Sequence, residues 1–78
     1  MLTFVHLDLV DLAGHESGWD SREYQGAAQL ADTLVGLLLA AVRDSGAEAQ
    51  TTVLVTSDHG GTGYSHGGAT LLELEIPW

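Results

Sequence analysis

Residues 51–56 read TTVLVT, and this short run decides the expected fold. It is β-branched and almost uniformly apolar, without the alternation of a strand that has one wet face. Such runs are typical of parallel strands covered on both faces. Upstream, Leu2–Val10 (LTFVHLDLV) is rich in β-formers and large apolar residues, broken only by His6 and Asp8, and reads as a second buried strand. Between the two, Ser21–Ser45 places Tyr24, Ala27, Ala28, Ala31, Leu34, Val35, Leu38, Ala41 and Val42 at helical intervals, which draws one apolar stripe. Asp20 and Glu23 suggest a capping box, Gly46 a left-handed cap, and Arg43 suits the last turn. Leu30, Leu37 and Leu39 fall outside the stripe, so more than one side of the helix is expected to be covered. Strand, helix, strand predicts an α/β fold, a βαβ unit of a parallel sheet in which the helix is the crossover. Leu71–Ile76 is expected as a last short strand stopped by Pro77, with Glu73 and Glu75 on its solvated face. Asp11–Asp20 reads as a loop, and so does the Gly-rich Ser57–Gly68.

The chain has 78 residues, 45% of them hydrophobic, which suffices for one small domain. At this size folding hides only about 60% of the unfolded surface, and a disulfide framework or a metal is the usual supplement. There is no cysteine, so disulfides, Cys-zinc sites and thiol nucleophiles are excluded. Two Lys/Arg against eleven Asp/Glu give a formal charge of -9. A nucleic-acid backbone binder needs clustered cations to release counterions, and an anionic membrane surface asks for the same, so neither partner is expected. No unbroken apolar run reaches the ~18 residues of a membrane span, and no basic region precedes an apolar N-terminal stretch.

In a parallel pair the carboxyl ends of both strands lie on one edge, where open α/β sheets bind ligands. The loops leaving that edge begin with Asp11 and Asp58, so two distant segments rich in ligand-type residues are expected to meet. Asp11 stands four residues before His15, Asp58 is followed by His59 and two glycines, and His66 adds a third imidazole. These five residues are ligands that zinc, manganese or iron accept. One structural zinc takes four ligands, whereas five invite two ions with vacancies, an arrangement suited to phosphoryl or sulfuryl transfer. Bound cations would also reverse the local field, so an acidic chain could still take an anionic ester. His6 is expected as a hydrogen-bonded core or edge residue, Asp8 stays unassigned, and Trp19 and Tyr64 are expected to pack within their loops.

The stretch VDLAGHESGWDSREY, the long helix with Asp32 and Gly36, and TTVLVTSDHGGTGYSHGG followed by IPW resemble the alkaline phosphatase superfamily. The likeness is closest to its type I phosphodiesterase/nucleotide pyrophosphatase branch. The resemblance implies that Asp11, His15 and His66 bind one zinc-like ion and that Asp58 and His59 bind a second, with zinc or manganese as the metal. It also implies a Thr or Ser nucleophile upstream of the D-x-x-G-H motif and a further Asp for the second ion. Neither is matched: Thr3 lies in a strand of the wrong context, and Ser57 and Thr62 are not at the nucleophile position. Residues 1–78 are therefore expected to be one partial domain, the metal-binding C-terminal part of an alkaline phosphatase-like catalytic domain, inactive alone. The substrate expected of the full enzyme is a phosphate ester. Association with the missing half-domain, or self-association, would cover the exposed sheet. The alternative is a small acidic metal-binding or interaction module without turnover.

Overall fold

The computed structural model describes residues 1–77; Trp78, the end of the IPW stretch, lies outside the described residues. The longest helix forms where the apolar periodicity is strongest. In chain order the helices are α1 (Leu9–Ser17), α2 (Arg22–Asp44) and α3 (Leu71–Leu74), with a 3₁₀ turn at Glu48–Gln50 after α2. Ser21, not Asp20, caps α2: its Oγ accepts the Tyr24 N–H at 3.0 Å and donates to the Gly18 carbonyl at 2.6 Å. A hydroxyl serves both the helix and the preceding turn, which an acceptor-only carboxylate cannot do. At the other end Gly46 adopts φ +78° and donates its N–H to the Arg43 carbonyl, the left-handed reversal read from the sequence.

The expected βαβ unit is not formed. Among the described residues there is no sheet; the only bridge pairs Thr62 with Ser65 across a tight turn at Gly63. Residues 2–8 and 51–56 have no ladder partner. The sequence pattern was that of strands covered on two faces, and a single long helix supplies at most one cover. A parallel pair is also the weaker ladder, and two strands alone are marginal in water. His6 accordingly lies exposed beside Phe4 rather than in a core.

Two further segments differ from expectation. The run expected as the first strand stops being extended at Leu9, and most of the expected Asp11–Asp20 loop is α1. Asp11 sits in its first turn and His15 in its last, matching the helix dipole. The second is Leu71–Ile76, where Leu71–Leu74 form a helical turn instead of a strand. Thr70 and Glu73 make a capping box there, so Glu73 faces inward instead of toward solvent and is only 8% exposed.

Helices α1 and α2 pack against each other, and Trp19 joins them to the Gly-rich loop. Its indole lies against Gly14 of α1 and Gly61 of the loop, so close that a Cβ at either glycine would overlap the ring. The Trp19 backbone N–H donates to the Gly63 carbonyl at 2.8 Å. By length and composition alone α2 is apolar enough to cross a membrane, with mean hydropathy 1.4 in its most apolar window. It also carries Asp32 in its middle and lies against α1, and the same composition serves a core helix. The molecule is open: its radius of gyration is 14.5 Å, against about 11.5 Å for a compact chain of this length. Among the described residues no hydrophobic side chain is buried.

Candidate metal centre

Two segments meet at one carboxylate oxygen. Asp11 and His15 are one helical turn apart on α1, so i, i+4 spacing puts both on the same face. The Gly-rich loop brings His59 and His66 to that face, their rings stacked with centroids 3.6 Å apart. Asp11 Oδ1 then lies 3.3 Å from His66 Nε2, 3.5 Å from His15 Nε2 and 3.7 Å from His59 Nε2. Asp58 is at the rim with its side chain 90% exposed, and its Oδ2 is 3.7 Å from His59 Nε2. All five candidates from the sequence are thus in one neighbourhood, with Asp11, His15 and His66 offering ligand atoms within 4.8 Å of one another.

The outer nitrogens fix the tautomers. His15 Nδ1 is 2.9 Å from the Tyr64 carbonyl, and His59 Nδ1 is 2.6 Å from the Gly60 carbonyl. A carbonyl only accepts, so both Nδ1 atoms carry the proton and donate. In the neutral rings both Nε2 atoms then turn a lone pair toward Asp11. Metal-binding histidines are oriented in this way by their second nitrogen. Asp11 Oδ1 itself is buried without a hydrogen-bond partner. A buried carboxylate oxygen facing imidazole lone pairs is unfavourable unless positive charge lies between them.

The residues fit a divalent ion on these grounds. A tetrahedral zinc holds nitrogen and oxygen ligands at about 2.0–2.2 Å, which sets neighbouring ligand atoms about 3.3–3.6 Å apart. The 3.3 and 3.5 Å separations from Asp11 fall in that interval.

A comparison with protein families decides the lineage: the family model for type I phosphodiesterase / nucleotide pyrophosphatase matches residues 1–75. The chain belongs to this family. Searches of curated proteins and of solved structures find no match. In this phosphodiesterase-family chain the likeness carried by D-x-x-G-H and SDHGG therefore holds, while the sheet expected with it does not form.

Sequence reasoning missed two supports of the site. One is Trp19, whose indole meets the His15 ring edge-on at 5.0 Å and the His66 ring at 5.8 Å. The other is Glu73, whose carboxylate accepts the Thr70 hydroxyl at 2.6 Å and the backbone N–H groups of Gly68 at 2.9 Å and Thr70 at 3.2 Å. The Thr70 hydroxyl first, then these two N–H groups, hold its carboxyl below the ordinary glutamate range. The T-x-x-E spacing of a capping box was the available signal. Tyr64 contributes its carbonyl, and its side chain stays exposed.

Proposed function

We propose that the chain is the metal-holding part of a phosphohydrolase of the phosphodiesterase or nucleotide pyrophosphatase type. Asp11, His15 and His66 hold one divalent ion, and His59 with Asp58 offers ligands to a second, zinc or manganese in each case. The observation that carries this reading is the buried, partnerless Asp11 Oδ1 ringed by three imidazole nitrogens. A divalent ion there would supply Lewis acidity to a phosphoryl oxygen of a phosphate ester. The protein's part is to orient: the Tyr64 and Gly60 carbonyls hold two imidazoles in the ligating tautomer, and Trp19 shields one side from water. The formal charge of -9 would otherwise repel the substrate, so the site's ability to gather cations is what admits an anionic ester.

A second reading, metal binding without turnover, is favoured by the hydroxyls beside the ligands. Ser57 Oγ donates to the His59 carbonyl at 2.8 Å and Ser65 Oγ to the His66 carbonyl at 3.3 Å. Both are committed to the loop's own backbone. The two readings separate in one experiment: titrate the full chain with Zn²⁺ and with Mn²⁺ by calorimetry, then assay a chromogenic phosphodiester. Stoichiometric binding with turnover establishes the hydrolase, and binding without turnover the module. If no ion binds, or if His15→Ala binds as tightly as the wild type, both readings are wrong.

A further inference from the structure

We propose that Glu73 is a positioning residue for the candidate metal centre, clamping the chain just after His66 so that this imidazole stays against Asp11. The proposal rests on the metal-site reading above and adds a residue outside the ligand set.

Capping α3 explains only part of what Glu73 does. A capping box needs the bonds to Thr70, but the carboxylate also accepts the N–H of Gly68 at 2.9 Å, outside the helix and two residues after His66. Between them Gly67 adopts φ +97°, so the chain reverses sharply and the place of Gly68 sets the direction in which His66 leaves. The approach is close: a Cβ on Gly68 would come within 2.6 Å of the Glu73 carboxylate. The same short helix holds the other imidazole through its backbone. The Glu73 carbonyl accepts the Gly60 N–H at 2.8 Å and the Leu72 carbonyl accepts the Gly61 N–H at 3.0 Å, directly after His59. One turn of helix therefore grips both ends of the loop whose two rings stack at 3.6 Å.

The chemistry demands a carboxylate. Its three partners, two N–H groups and one O–H, are all donating, and an ionised carboxylate is acceptor-only at both oxygens. An amide would turn an NH₂ toward at least one donor.

The test uses the full chain with Co²⁺ as a spectroscopic probe and, without metal, the NMR signals of the His66 ring. Glu73→Gln and Thr70→Val are expected to weaken Co²⁺ binding about tenfold, the lower end for outer-shell partners. They should also shift the metal-free His66 ring signals through the altered stack on His59, with exposed His6 unmoved. Thr70→Ser, which keeps the hydroxyl, should behave as wild type. Thr70→Val removes one donor only, so it serves if Glu73→Gln loses helicity by circular dichroism. Unchanged Co²⁺ affinity together with unmoved His66 signals overturns the proposal. Should the wild type take up no Co²⁺, the proposed function fails instead, and the metal-free His66 signals alone decide Glu73: a shift supports the clamp, no shift overturns it.

Discussion

Asp11 is the residue on which the site turns, because three imidazoles are arranged around its Oδ1 alone. Asp11→Asn keeps the shape and removes the charge. Zinc affinity is expected to fall by at least the 10–100-fold seen for outer-shell losses, read by competition with a chromogenic chelator. The ligand candidates were legible in the sequence because few residue types bind hard cations, and four histidines among 78 residues are easily inspected. What the sequence could not convey is which atom they share. Gly14, between Asp11 and His15, disfavours a helix by propensity, yet it lies within α1 because Trp19 presses on it. Adding a methyl at that contact should overpack it: Gly14→Ala and Gly61→Ala are each expected to destabilise by about 1–3 kcal/mol. Urea titration followed by Trp fluorescence would show this as a lowered midpoint.

Among the elements, α2 was the most legible, since its stripe, its start near Ser21 and its end at Gly46 are all local signals. Ser21→Ala should cost about 1 kcal/mol by stranding the Tyr24 N–H, while the Gly18 carbonyl keeps the Ser21 backbone N–H; the loss is measurable as lost helicity at a fixed urea concentration. Leu71–Leu74 was misread because alternating Glu and apolar residues fit a strand as well as a short helix, and only the Thr70–Glu73 spacing tells them apart. That turn is also acid-sensitive. Glu73 titrates below its ordinary range in the folded chain, so its contribution is present at neutral pH, above the unfolded value, and is lost as pH falls through the lowered folded value. Amide exchange at Gly68 and Thr70 should accelerate over that acid window, ahead of amides in the middle of α2; simultaneous loss of both would contradict the assignment. The two apolar runs failed as strands for a different reason. Their composition reports an environment, two covered faces, and composition carries no instruction about who provides the cover.

For the whole molecule, that uncovered surface is the main physical fact. The accessible area is 6280 Å², whereas a folded chain of 8.2 kDa should present about 4,500 Å². The difference is about twice what one partner contributes to an ordinary protein interface. Phe4 and Leu54, 85% and 78% exposed, lie in the two unpaired runs. The chain by itself is therefore expected to bind the dye ANS strongly and to associate as its concentration rises, both absent if the apolar runs are covered in solution. A fold with so little interior places unusual weight on its few long-range ties. His15 and Tyr64 touch across 49 positions of chain, and an ion shared by Asp11 and His66 would close a loop of similar length. In the chain-entropy picture a crosslink over such a loop removes about 4 kcal/mol of freedom from the unfolded state. In a protein without cysteine, the metal would then act as a removable staple, and chelation would unfold the chain before it merely silenced the site.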